Sequence, residues 1–85
     1  MQEKRMQQQP LRVVMSRDGS DANHDVLRDV HGVILRNPHV GELLQIYFDN
    51  GRYLVTSKVK RVDQVGDEMI VETANSTYRL HPDTN

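Results

Sequence analysis

The chain contains no cysteine. That removes a disulfide framework, a thiolate zinc ribbon and a thiol nucleophile, and it agrees with a reducing, cytoplasmic setting. Tryptophan is absent as well, and the aromatic complement is one Phe and three Tyr, all between Tyr47 and Tyr78. No run approaches the ~20 apolar residues that cross a bilayer as a helix. No apolar segment follows Met1, so neither a membrane anchor nor a signal peptide is expected. Eleven Lys and Arg against twelve Asp and Glu leave a formal charge of −1. No excess of one sign draws the whole molecule toward nucleic acid or an anionic membrane. These absences describe one small domain with a small core, either monomeric or supplemented by weak homodimerisation through a sheet edge.

What the chain does have is turn chemistry between short apolar runs, densest from Glu42 to His81. Asn50-Gly51 is the strongest hairpin signal, because a type I′ turn needs φ > 0 at both central residues. As a two-residue loop it sets Phe48 opposite Tyr53, Ile46 opposite Val55 and Leu44 opposite Ser57 on one face. Tyr47 then meets Leu54, Gln45 meets Thr56 and Leu43 meets Lys58 on the other. The first face is more apolar and is assigned to the core.

Gly66-Asp67 as a loop sets Gln64 opposite Met69, Val62 opposite Val71 and Arg61 opposite Glu72. Asn75-Ser76 as a two-residue loop sets Thr73 opposite Tyr78, Glu72 opposite Arg79 and Val71 opposite Leu80. Both counts place Val71 in an apolar row and Glu72 in a charged one. The inward parity is nevertheless inconsistent along one strand: Tyr53, Val55 and Val59 are inward by the first count and Val62 by the second. A bulge or sharp bend near Lys60-Arg61 resolves this, and it predicts a rolled sheet.

Residues 1–10 (MQEKRMQQQP) are polar and Gln-rich and are expected to be a disordered tail. Leu11 to Met15 reads as an edge strand, and Ser16 to Asn23 as loop. After Asp25 the pattern is double. Val26, Leu27 and Val30 have helical spacing, with Ser20 or Asp21 as N-cap and Gly32 as C-terminal stop, yet Val26, Arg28 and Val30 also alternate. One short helix of one or two turns is expected there, then a strand over Val33 to Arg36 and a turn at Asn37-Pro38-His39-Val40-Gly41. The fold class is therefore mainly β: a bent antiparallel meander of about five strands, either open or closed as a small SH3-like or OB-like barrel. The domain occupies residues 11–82, with a frayed C-terminus at 83–85.

Motifs that would carry chemistry fail on spacing. Asp18 opens D-G-S-D-A-N-H-D, but a calcium loop counted from Asp18 needs a ligand where Ala22 stands and Gly where Asn23 stands. His24, His31, His39 and His81 do not pair at metal-site spacing. Ser57 and Ser76 lack a nucleophile elbow. No catalytic residue, cofactor or metal site is assigned, and a non-catalytic protein is expected. The one local charge feature is Lys58, Lys60 and Arg61 with Arg52 and Arg79 nearby on the expected sheet. With Tyr47 on the outer face it has the makings of a nucleic-acid or partner face, set against Glu72, Asp63, Asp67 and Glu68 close by.

The segments I-Y-F-D-N-G-R-Y-L-V-T-S-K-V (46–59) and V-E-T-A-N-S-T-Y-R-L (71–80) resemble small uncharacterised bacterial β-rich proteins with a T-S-x-V … V-x-T-x-N-S-x-Y pattern. The resemblance covers the C-terminal half. It implies a prokaryotic β-rich domain in which Thr56, Ser57, Asn75, Ser76 and Tyr78 form a shared element. It brings no activity. The expected function is a small interaction or regulatory module with a protein partner. The alternative is a single-stranded nucleic-acid-binding barrel using Tyr47, Arg52, Lys58, Lys60 and Arg61.

Overall fold

A computed structural model describes residues 10–18 and 27–83, which form six β-strands and no helix. The strands are β1 (Leu11–Arg17), β2 (Leu27–Ile34), β3 (Leu43–Phe48), β4 (Tyr53–Val65), β5 (Glu68–Thr73) and β6 (Thr77–Pro82). They follow one another round the wall in chain order, each antiparallel to the next. β6 returns to pair with β1 from Val13↔Pro82 to Arg17↔Tyr78. The anticipated small barrel is thus closed, and β1 is an inner member of the wall instead of an edge. Val13, Met15, Ile34, Ile46, Val71 and Leu80 fill the interior and are almost fully buried, with Leu44, Val59 and Tyr78 beside them.

There are six strands where about five were expected, and the strand expected over Val33 to Arg36 starts earlier, so strand stands where helical turns were expected after Asp25 in the described chain. Leu27 to His31 belong to β2. The double pattern has a structural cause. The β1–β2 register shifts between Met15↔Val30 and Arg17↔Leu27, and Asp29 inside that shift has φ of 51°. This bulge adds one residue between Leu27 and Val30, so two positions on the inward face of a strand stand three apart, as they would on a helix. Asp tolerates the left-handed region better than most residues. Its amide is satisfied by the Ser16 hydroxyl at 3.1 Å. The tail over 1–9, the residues 19–26 that include the capping candidates and His24, and Thr84-Asn85 lie outside the described residues.

The β4–β5 pairing follows the expected count at every position named: Gln64↔Met69, Val62↔Val71 and Arg61↔Glu72. The expected break in alternation is also present, as a register shift between Val59 and Arg61. At β5–β6 the faces are as expected, but the pairing is displaced by two residues. Val71 lies opposite Tyr78, Met69 opposite Leu80 and Ile70 opposite Arg79. The cause is a two-residue turn centred one residue earlier, on Ala74-Asn75. The Thr73 amide donates to the Ser76 carbonyl at 2.9 Å, and Thr73 Oγ1 accepts from the amides of Asn75 and Ser76. The Thr73 hydroxyl bonds the Asn75 and Ser76 amides and so anchors the two-residue loop at Ala74-Asn75 instead of at Asn75-Ser76.

Candidate binding face

The β3–β4 hairpin departs most usefully from expectation. Its loop has three residues, Asp49-Asn50-Gly51. The Phe48 amide donates to the Arg52 carbonyl at 2.8 Å and the Gly51 amide to the Phe48 carbonyl at 3.0 Å. Gly51 has φ of 91°, and Asn50 Oδ1 accepts from the Arg52 amide at 2.9 Å. This is the three-residue hairpin in which glycine takes the left-handed position after a type I turn. The pairing moves by one residue, to Tyr47↔Tyr53, Ile46↔Leu54 and Gln45↔Val55.

The one-residue move turns half of β4 over. Leu44 and Ile46 face the core as expected. Tyr53 and Val55, expected inside, are 64% and 40% exposed, and Thr56 is buried in their place. A second bulge, between Val55 and Lys58, restores the expected Leu43↔Lys58 pair. Thr56 holds it: Oγ1 accepts from the Leu44 amide at 3.0 Å and donates to the Ser57 carbonyl at 2.6 Å. Asn75 Nδ2 reaches Ser57 Oγ at 3.4 Å, joining this bulge to the β5–β6 turn. The Ser76 hydroxyl is buried with no partner among the described residues.

The outcome is an outer face that sequence counting did not anticipate. Tyr47 and Tyr53 stack with ring centroids 5.6 Å apart and planes at 23°. Eight large apolar side chains are exposed among the described residues. Six of them (Leu35, Val40, Leu43, Tyr47, Tyr53 and Val55) lie on the loop over 35–42, β3 and the first half of β4. A groove of about 460 Å³ opens at one end, lined by Leu35, Asn37, Leu43 and Gln45 among others. Tyr47 was singled out from sequence. Tyr53, Val55, Leu43 and Leu35 were not, although Asn-Gly fits a three-residue loop ending in glycine as well as a two-residue one.

The expected basic residues divide. Arg52, Lys58 and Lys60 are exposed along the hairpin and β4, and none has an ion pair among the described residues. Arg61 is turned to its own strand, with Nε 2.9 Å from Asp63 Oδ2. The acidic groups flanking the face are already engaged. Asp49 holds Arg12 at 2.8 Å, and Glu42 holds Arg36 at 3.4 Å. The Arg12 guanidinium is raised above its ordinary value by the hydrogen bond and then the charge of Asp49, with Asp83 adding to both, so it stays protonated at any working pH.

Beside this face, His31 Nδ1 lies 2.7 Å from Asp83 Oδ2, and the Asp83 side chain is only 7% exposed. The Asp83 amide donates to the Arg12 carbonyl at 3.0 Å and the Asp49 amide to the His31 carbonyl at 3.0 Å. These contacts clasp β1, β2, the β3–β4 loop and the end of β6. A carboxylate that orients an imidazole is half of a catalytic triad, but no hydroxyl hydrogen-bonds His31 among the described residues. His39 Nδ1 contacts the Asn37 carbonyl at 2.8 Å. No group of three or more His, Asp or Glu side chains is placed to hold a metal among the described residues.

No family model, curated protein or solved structure matches this chain.

Proposed function

We propose that the protein is a small non-catalytic interaction module and that the outer face of β3 and β4 is its binding surface. The observation that carries this is the concentration of exposed apolar side chains around the stacked Tyr47–Tyr53 pair. A contiguous exposed apolar patch on a small barrel is an interaction site in the general case. Tyrosine is among the side chains that dominate binding energy, since it buries much area with few rotatable bonds. The two ion pairs at the margins, Arg12–Asp49 and Arg36–Glu42, give the patch a polar rim.

A photo-crosslinking residue tests this reading. It is placed at Tyr53 or, on the opposite wall, at Arg79, in the full chain exposed to an extract of its own cells. Capture of a discrete partner from position 53 that disappears in a Tyr47→Ser background is the expected result. Equal labelling from both positions overturns it.

A second reading, single-stranded nucleic acid, is favoured by the aromatic pair sharing a wall with Arg52, Lys58 and Lys60, which have no ion pair among the described residues. Aromatic platforms beside unpaired cations are how such proteins hold bases and phosphates. A ten-nucleotide oligo(dT) titrated at two salt concentrations decides it, because phosphate contacts weaken steeply with salt.

A further inference from the structure

Building on the β3–β4 face as the binding surface, we infer that its occupant is an extended peptide segment with its apolar and acidic residues segregated. The apolar end sits at the Tyr47–Tyr53 pair and Val55. The acidic end sits at Lys58 and Lys60. The basis is an asymmetry along β4. Its outward side chains run Tyr53, Val55, then Lys58 and Lys60, because the Thr56 bulge resets the alternation after Val55. The strand is aromatic at one end and cationic at the other. From Tyr53 to Lys60 is about 20 Å, the length of roughly seven extended residues.

Charge complementarity selects the partner. Arg52, Lys58 and Lys60 carry no ion pair among the described residues, whereas Asp49 and Glu42, the acidic groups at the margins, are both bound. At the Lys60 end Glu72, opposite Arg61, is exposed and has no ion pair among the described residues, so three such cations stand against this one acid. A second copy docked face to face offers Lys58 and Lys60 no acid: it brings them against the same cations or, with β4 reversed, against the aromatic end. An acidic segment gains at each of them, with desolvation limited because these side chains stay at the rim. The apolar half separates peptide from nucleic acid. Leu43 and Val55 are aliphatic and give a base nothing to stack on. The two tyrosine rings already cover one face of each other at 5.6 Å, which makes them a ridge for apolar side chains to grip more than a platform for bases.

The test uses the full chain and synthetic fluorescent octapeptides. One has Leu and Phe in its first half and Asp and Glu in its second. One has the same composition in alternating order. One has Lys for every acid. Oligo(dT) of ten nucleotides is the fourth probe, and amide NMR maps each site. The expected result is that the segregated acidic peptide shifts Tyr47, Tyr53, Val55, Lys58 and Lys60, and binds roughly tenfold more tightly than the alternating one, a difference of about 1.4 kcal/mol. The Lys58→Glu/Lys60→Glu variant, its fold checked by its melting curve, should lose that advantage.

Equal binding of the Lys peptide, tighter binding of oligo(dT), or shifts at the same residues that grow with protein concentration alone would each overturn the inference. The last two name nucleic acid and a second copy as the occupant instead. If no probe binds while position 53 still captures a partner, the peptide chemistry is wrong and the binding face stands. If that capture is lost as well, both fall.

Discussion

The barrel has two outer walls built from the same ladder geometry, and they treat their side chains in opposite ways. On the wall of β5, β6 and the far half of β4, both arginines are answered locally. Arg61 binds Asp63 at 2.9 Å and lies opposite Glu72, and Arg79 reaches Asp18 at 4.0 Å. Ile70 on this wall is half-buried. On the wall of β3 and the near half of β4, Tyr53 is 64% exposed, and three cations have no partner among the described residues. A wall that satisfies itself needs only to be soluble. A wall that leaves both apolar area and charge unanswered is stable in contact with something else. The difference arises in the backbone. One bulge and a three-residue loop in the β3–β4 hairpin decide which side chains point outward, whereas the β4–β5 turn obeys plain alternation.

The largest expected effect separates the walls by stability. The β2–β3 ladder covers only Gly32 to Ile34, and a Cβ at Gly32 would lie 2.7 Å from the Tyr47 carbonyl oxygen, with Phe48 and Ile46 also in close contact. Backbone at that distance cannot rotate away. Gly32→Ala should destabilise the barrel by about 2 kcal/mol, or lower the melting temperature by roughly 10 °C for a domain of this size. Hydrogen exchange should show β3 amides opening well before those of β5. Uniform opening would mean that the two walls are one cooperative unit.

Next comes Thr56→Val. It keeps the shape of the side chain, removes the acceptor for the buried Leu44 amide, and should cost about 1.5 kcal/mol in chemical denaturation. Thr77→Val, on the self-satisfied wall, should stay within about 0.5 kcal/mol. Equal effects would show that the Thr56 bulge is incidental to the binding wall.

The bulges also mark where the sequence is legible. Turn chemistry and apolar runs were enough for a small antiparallel barrel, for the β4–β5 register, and for the bend near Lys60-Arg61. What they do not encode is loop length. Asn50-Gly51 is compatible with a two- or a three-residue loop, and the single extra residue inverts Tyr53 and Val55. The agreement on Val71 between two hairpins tested only parity. A slip of two at the Asn75-Ser76 turn preserves every face and changes every partner, so the apolar row survived while Glu72 lost Arg79. The Asp29 bulge hid a strand for a related reason, since one inserted residue makes a period of two look like the spacing of a helix. Of the candidate face, Tyr47, Arg52, Lys58 and Lys60 were readable as residue types. Their union with Tyr53 and Val55 was not, because it depends on bulge bonds made by the Thr56 side chain.

A smaller effect probes the tyrosines directly. Tyr53→Ser removes one ring of the exposed stack and should cost about 1 kcal/mol of stability, the worth of an aromatic pair. Binding of the segregated acidic peptide should be lost. Arg79→Ser on the opposite wall should leave that binding unchanged. The paired readouts, thermal melting and fluorescence anisotropy, distinguish a binding residue from a structural one. If Tyr53→Ser melts several kcal/mol lower and still binds, the stack belongs to the fold and the comparison between the walls collapses.

The smallest expected effect is on the self-satisfied wall. Glu72→Lys reverses a charge that lies opposite Arg61 and Thr77, while Arg79 sits opposite Ile70. Only one like-charge contact is created, and Arg61 keeps Asp63 at 2.9 Å. The loss should be about 0.5 kcal/mol, within the range of a single cross-strand pair. It should fade in 1 M salt, where the screening length falls to about 3 Å. The size of the effect reads the register. With the two-residue turn at Asn75-Ser76 instead, Glu72 would face Arg61 and Arg79 together, and reversal would set it against two cations at once. A loss well above 1 kcal/mol that salt removes would favour that register, with Val71 opposite Leu80. A loss near half of that supports the turn at Ala74-Asn75 that Thr73 closes with its own amide and hydroxyl.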